Sequence, residues 1–371
     1  SNEETVLSIR ETPLHAAHAE HGARFVDFHG WDMPVQYEGI LAETRRVRST
    51  GGLFDLCHMG RLVITGPDRE ALVEHVFSGN LAKLKHGRAK YGFLLNEDGY
   101  PIDDVLVYRD VETMHIVINA TGREADTAWV NERNAARGFD AHVAHVSDEQ
   151  AMVALQGPNS EHVLQPLCGA DLSALRYYGF MTAPVCGHET LMARTGYTGE
   201  DGFELFFDKG HADEIWRALC DSGLSLDVKP IGLGARDLLR LEAGMPLYGQ
   251  EINLGIDPLE ADLAFGVAFA KEDTVGIPAL KARREAGVQR EAISLAVKGG
   301  RVARTGCKVS VDGTEIGEVT SGGVSPTVGK NIARAIVAVD RAPLGATVDV
   351  EIRGRNHPLE VVPHPFYKRA R

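Results

Sequence analysis

Short apolar runs, each closed off by turn residues, limit what this chain can fold into. RLVITG, YGFLLN, DDVLVYR and MHIVINA follow one another between residues 61 and 120 with Gly, Pro, Asn or Asp between them. Runs of that length read as strands, and their spacing predicts an antiparallel meander. The upstream stretch RFVDFHGWDMPVQY has the same strand-and-loop character. A second series, AISLAV, CKVSVDG, TEIGEVTSG, ARAIVAVD and TVDVEIRG, fills the chain beyond residue 290 and predicts a small β-barrel or sandwich.

Helices stand between and beside these runs. Thr12, Pro13 and LHAAHAEH predict a helix over 12–21 that stops at Gly22, and READTAWVNERNAAR predicts an amphipathic helix over 123–137 that stops at Gly138. Further on, AMVALQG, ETLMART and GFELFFD read as strands, with helices near 159–168, 210–222 and 232–243. Strands and helices cluster rather than alternate, the pattern of an α+β fold. KEDTVGIPALKARREAG, residues 271–287, is polar and charged, and the boundary between the α+β region and the all-β region is placed there. At about 150 residues per domain, 371 residues are more than one domain.

Composition narrows the partners. The formal charge of −13, with a pI near 5.6, provides no global basic field for a nucleic acid. No window approaches the roughly 18 apolar residues of a membrane span. Five widely spaced cysteines without a C-x-x-C pair argue against a disulfide framework or zinc ribbon. SNEETVLSIRETPLH shows no basic-then-apolar leader pattern, and Ser1-Asn2 reads equally as an expression remnant or as part of the chain's own sequence. The expectation is a soluble protein of a reducing compartment.

Several side chains could carry chemistry. His15, His18 and His21 have near-helical spacing, but the third rotates away from the others and no carboxylate or Cys pattern accompanies them, so no metal site is expected. Gly232-Leu233-Gly234 lacks the third glycine of a dinucleotide fingerprint. Cys57 and His58 are adjacent, and neighbours on a strand face opposite ways, so they make a poor nucleophile–base pair; Cys57 reads as packing, with Asp55 and His58 left as pocket candidates. Asp103 and Asp104 open an apolar strand: one must face inward, where a carboxylate needs a partner or a function, while a plain turn and edge charge is the alternative. Glu204, entering the aromatic strand GFELFFD, poses the same choice, and Arg236 offers a carboxylate-matching fork or a surface pair with Glu242.

Taken together, these segments resemble a known family. TPLHAAHAEHGARFVDFHGWDMPVQY, GLFDLCHMG, YGFLLNEDGYPIDDVLVYR, ALQGP, RTGYTGEDGFEL, GLGARDLLRLEAGMPLYG and IGEVTSGGVSPT are similar, in order and spacing, to the aminomethyltransferase (T protein) of the glycine cleavage system. The likeness runs from about residue 11 to residue 367. It implies a cloverleaf: two interlocked α+β lobes with antiparallel sheets over 11–270, and a C-terminal all-β barrel over 285–371. It also implies tetrahydrofolate as co-substrate in a central hole, no metal, and the lipoylated H protein as partner. By the same resemblance Asp104 is the acid/base candidate, Glu204 a pterin-contacting carboxylate, Arg236 a folate-site arginine, Asn119 a substrate-contacting amide, and Tyr91 and Tyr197 pocket aromatics. A bacterial cytoplasm is favoured over a mitochondrial matrix.

Departures from the family pattern are few: Cys57 where Ser is usual, Tyr100 after Gly99 where a second glycine is usual, and a tail that follows the family only to Pro365-Phe366. Two other readings share the pocket, a tetrahydrofolate-dependent demethylase and a non-enzymatic folate-binding accessory protein. Two basic clusters, Arg45, Arg46, Arg48 and Lys83, Lys85, Arg88, Lys90, read either as carrier-docking faces or as ordinary solvated charge.

Overall fold

The computed structural model describes residues 9–370. Ser1-Asn2 and most of the stretch read for a leader lie outside the described residues. The chain divides into two compact units, each assembled from separate stretches: residues 1–60 with 146–237, and 61–145 with 238–371.

In the first unit a six-stranded sheet runs in the order Phe180–Val185, His188–Ala193, Gly202–Asp208, Gln150–Gln156, Gly52–Asp55 and Lys229–Pro230. Its pairs are antiparallel except the last, which is parallel. Ile215, Trp216 and Leu219 of the helix Ala212–Gly223 pack into a core with Val153, Leu155, Phe203 and Leu205. The N-terminal helix occupies His15–Glu20 and ends before Gly22, whose φ of +72° is the left-handed stop that a glycine accommodates. Thr12 lies outside it; its hydroxyl accepts from the Leu14 N–H at 3.3 Å and donates to Asp55 at 2.5 Å.

The second unit holds a five-stranded sheet in the order Arg88–Leu95, Pro101–Arg109, Met114–Ile118, Gly60–Thr65 and His142–His145. The meander expected from the sequence is therefore corrected in one place: RLVITG does not lie beside YGFLLN but beyond MHIVINA. The cause is the helix Arg69–Val76, which fills the long connection between the two runs and precludes a hairpin there. The helix Arg123–Arg137 spans the predicted range and ends at Gly138 with φ +65°. Both helices contribute to one core through Leu72, Val76 and Val130 against Val105, Val107 and Ile116.

Beyond residue 290 six strands close into a barrel, in the order 290–297, 330–338, 314–325, 308–311, 347–352 and 355–362, with Ser294 facing Val362 across the closing pair. Of the two sequence alternatives, barrel rather than sandwich is correct. The polar stretch read as a boundary contains the helix Ile277–Ala286. Its Ile277 and Leu280 are fully buried against Phe93, Leu95 and Ile252. Among the described residues, no helix is long and apolar enough to cross a membrane.

Gly157 tests this account of the first unit. Its φ is +118°, and a Cβ there would meet Gly51 Cα at 2.5 Å and Val47 O at 2.6 Å, both backbone atoms that cannot swing aside. Gly157→Ala should lower stability by about 2–4 kcal/mol from strain and overlap together. At Gly138, where nothing lies within 4 Å of an added Cβ, Gly138→Ala should cost about 1 kcal/mol. Urea denaturation of the two variants checks the order.

Candidate functional site

The hairpin that carries Asp104 is set by its turn. Asn96 N–H donates to the Tyr100 carbonyl at 2.9 Å, the Asn96 side chain accepts from Tyr100 N–H at 2.9 Å, and Gly99 takes φ +79°. This places Phe93 opposite Asp104 and Leu94 opposite Asp103. Tyr91, two residues from Phe93, stands on the same face as Asp104, and its hydroxyl donates to Asp104 Oδ2 at 3.0 Å.

Asn119 follows the neighbouring strand and binds both aspartates. Its backbone N–H donates to Asp103 Oδ2 at 2.8 Å, and its side-chain Nδ2 lies 2.7 Å from Asp103 Oδ1 and 2.9 Å from Asp104 Oδ1. Asp103 is buried, while Asp104 is partly open. Adjacent strand residues thus differ in exposure as alternation requires, yet share one amide. Asp126, from the first turn of the helix Arg123–Arg137, brings a third carboxyl against Asp103.

Crowding and burial govern this cluster. Burial first, and the charge of Asp103 second, push the Asp104 carboxyl up to about 7. Asp103 is raised well above the usual range by burial and then by Asp126, and Asp126 is raised by burial. The Tyr248 hydroxyl, which donates to the Pro101 carbonyl at 3.2 Å, is pushed up to about 12 by burial and by the aspartates' charge. A carboxyl half-ionised near pH 7 is suited to giving and taking protons.

In the first unit, Glu204, Arg236 and Tyr197 form a second group. Glu204 is buried on the strand Gly202–Asp208 and accepts from the Thr195 hydroxyl at 2.6 Å. Arg236, on the helix Leu233–Glu242, lays its guanidinium over the Tyr197 ring at 4.7 Å. Burial lowers the Arg236 pKa, and the nearby Tyr197 and Glu204 oppose that shift. The alternative surface pair with Glu242 is not formed: Glu242 accepts from Ser325 at 2.5 Å and from Thr327 at 2.8 Å.

The loop before Glu204, RTGYTGED, is braced at several points. Arg194 clasps Asp201 through Nε at 3.0 Å and Nη2 at 2.6 Å, Arg48 pairs with Glu200 at 2.9 Å, and the Gln156 side chain joins the Thr195 carbonyl and the Thr198 hydroxyl. A side chain at Gly196 would collide with Gln156, which explains glycine there.

Other sequence candidates have structural roles. His15 bonds Asp32 at 2.8 Å, buried His18 bonds Asp55 at 2.8 Å, and His21 faces the Ala17 carbonyl, so the three imidazoles serve separate partners. Asp55 also accepts from the Cys57 N–H and is an interior hub, and the Cys57 thiol packs 3.4 Å from the Met152 carbonyl. In the first basic cluster, Arg46 pairs with Glu38 and Arg48 with Glu200, while Arg45 is exposed. Lys83 and Lys85 are exposed, and Arg88 and Lys90 partly so. Sequence reasoning missed Asp126 and Thr195. An acidic residue in the first turn of a helix is ordinary dipole chemistry, so Asp126 left no local signal.

The described chain thus carries a buried cluster of raised carboxyls on an α+β scaffold and a closed barrel beyond residue 290. The GCVT N-terminal domain model matches residues 14–271, and that of the glycine cleavage T-protein C-terminal barrel domain matches 290–368. The chain belongs to the glycine cleavage T-protein family. An aminomethyltransferase of Streptomyces avermitilis is 46% identical over 98% of this chain and 98% of its own length. One of Rubrobacter xylanophilus is 44% identical over 98% of this chain and 96% of its own. The crystal structure of glycine cleavage system aminomethyltransferase T from Bartonella henselae superposes with a TM-score of 0.91 at 33% identity, covering 97% of this chain and 99% of that one.

The cluster's electrostatics can be tested without turnover. Asp103→Asn removes the neighbouring charge, so Asp104 ionises more easily and its midpoint falls below about 7, while burial, the larger cause, keeps it above 3.8. A carbon-13 NMR titration of labelled aspartate carboxyls reads this. An unmoved Asp104 midpoint would show that the two charges do not interact.

Proposed function

We propose that this aminomethyltransferase moves the one-carbon unit of an S-aminomethyl-dihydrolipoyl H protein to tetrahydrofolate, giving 5,10-methylenetetrahydrofolate, ammonia and the dihydrolipoyl carrier. The observation that supports this most strongly is the partly open Asp104 carboxyl, pushed up to about 7 and held by Tyr91 and Asn119. In the overall change a C–S and a C–N bond break and two C–N bonds form. Two protons leave the folate nitrogens, one for the sulfur and one for the departing amine.

Tetrahydrofolate supplies the two nitrogens that take up the carbon. Each unit, taken by itself, carries groups that suit such a co-substrate: in the first, a carboxylate braced by a hydroxyl at Glu204 and an aromatic ring under a guanidinium at Tyr197; in the second, a protonatable carboxyl at Asp104. Asp104 orients the reacting nitrogens and accepts or returns a proton, its pKa matched to neutral pH. Asn119 and Tyr91 fix the carboxyl's direction, so the transferred proton has a defined position. Glu204 accepts the paired N–H groups of the pterin edge. Arg236, held flat over Tyr197, offers a fixed donor fork to the co-substrate's polar groups. The five free cysteines suit a reducing cytoplasm.

Ammonia release from aminomethyl-loaded H protein, with and without tetrahydrofolate, tests the reading as a whole; release that ignores folate would overturn it. Asp104→Asn should reduce turnover by about 10²–10⁴-fold with the fold intact, because it removes a proton acceptor at nearly constant volume. Circular dichroism alongside stopped assays separates the two effects. Glu204→Ala should weaken tetrahydrofolate binding by about 10- to 100-fold, the worth of a charge-assisted hydrogen bond, and leave turnover at saturating folate much closer to wild type. Calorimetric titration measures it, and unchanged affinity would make Glu204 a structural residue.

A further inference from the structure

Among the described residues of the first unit, and apart from those used above, one cluster of side chains has the donor set of a metal centre. His188, His211 and Glu214 each present one ligand atom, and these atoms lie within 4.8 Å of one another. We propose that they bind a first-row divalent metal ion of the zinc type, which ties the hairpin of strands 180–185 and 188–193 to the start of the helix Ala212–Gly223.

Each donor is set by local backbone structure. The hairpin turns on two residues, Cys186 at φ +53° and Gly187 at φ +84°, the double left-handed turn that matches strand twist, and Val185 pairs with His188 directly across it. His188 is therefore the first residue of its strand, with little freedom of position. His211 ends the short turn Lys209–His211, which is held by Gly210 N–H donating to Asp208 at 2.7 Å, and it stands at the cap of the following helix. Glu214 lies in that helix's first turn.

The donor atoms are near enough to one another for a single ion to gather them. His188 Nε2 lies 2.9 Å from Glu214 Oε2, and the two imidazoles are stacked with centroids 3.6 Å apart and planes 15° from parallel. Ligands bound at about 2.0–2.2 Å in a tetrahedral site are themselves about 3.3 Å apart, so the ion draws the donor atoms closer and turns the two rings out of their stack until both nitrogen lone pairs aim at it. An ion pair of His188 with Glu214 accounts for those two residues but not for a second imidazole laid on the first. Two imidazoles and a carboxylate suit zinc, nickel or copper, and disfavour calcium and magnesium, which prefer oxygen. The positive end of the helix opposes a cation. The carboxylate of Glu214 in its first turn offsets that field, while Asp213 is paired with Arg217. All three ligands are at least partly exposed, leaving a path for the ion and room for water as a fourth ligand. Such a site acts as a clasp between two elements and takes no part in the chemistry assigned to Asp104.

The test uses the full chain without an affinity tag, stripped with chelator and titrated with zinc sulfate by calorimetry, together with melting curves. Wild type is expected to take up one equivalent and to melt several degrees higher with excess zinc, since an ion that binds the folded form raises its stability. His188→Ala and His211→Ala should each weaken the uptake by more than about 10-fold, the low end for losing even an outer-shell partner. Their zinc-free circular dichroism should stay unchanged. His211→Asn places a residue favoured at a helix cap there and guards against a loss of fold at that position. His15→Ala should retain full uptake, excluding the N-terminal histidines as the source. Equal affinity in wild type and in both His188 and His211 variants, or no uptake by wild type at millimolar zinc, would overturn the proposal.

Discussion

One side-chain amide holds two carboxyl groups that would otherwise repel. Asn119 contacts Asp103 and Asp104 within 2.9 Å, and Asp126 adds a third acid to the same interior region. Three full negative charges in a poorly hydrated space would be prohibitive, so the cluster retains protons at a pH where an ordinary aspartate has none. The reactivity assigned to Asp104 therefore comes from its surroundings more than from its own position. The scaffold that creates those surroundings is the hairpin at Asn96–Tyr100 and the bend at Asn119, which brings an amide to the end of a strand it does not belong to.

The first unit solves a different problem, that of holding a buried carboxylate in place while the charges of its own loop are satisfied elsewhere. Glu204 has a hydroxyl partner in Thr195, while the charged residues of its loop are paired, Arg194 with Asp201 inside the loop and Glu200 with Arg48 of the helix Ile40–Ser49. Those pairs stiffen the loop, and Gln156 fills the space beneath Gly196. Rigidity supplied from outside the reacting groups is what keeps a positioned reactant positioned.

Local features of the fold were legible in the sequence, and features that depend on distant pairing were not. The helix 123–137 carries its own period and its own glycine stop, and the NEDGYP turn carries its own hydrogen bonds, so both could be read directly. Whether the C-terminal strands close depends on Ser294 meeting Val362, a pairing with no mark on either segment, which is why barrel and sandwich looked alike. The helix Ile277–Ala286 went unread within the boundary stretch because the charged residues there outnumber the two, Ile277 and Leu280, that bury it. Strand alternation separated Asp103 from Asp104, and it could not reveal that an amide from the next strand's end would reach both.

The strand Gly52–Asp55 has consequences during synthesis. All four of its residues are buried, and its antiparallel partner is Gln150–Gln156, about a hundred residues later in the chain. At translation rates of about 5–20 residues per second, it emerges from the ribosome roughly 5–20 s before that partner exists. For that interval an apolar strand edge is open to any other chain that can pair with it. The C-terminal barrel, whose strands all lie within some seventy residues of one another, has no comparable wait. Gly52–Asp55 is thus the segment where a nascent chain of this protein has most to gain from a holding chaperone, and where slowed translation would be felt first as aggregation.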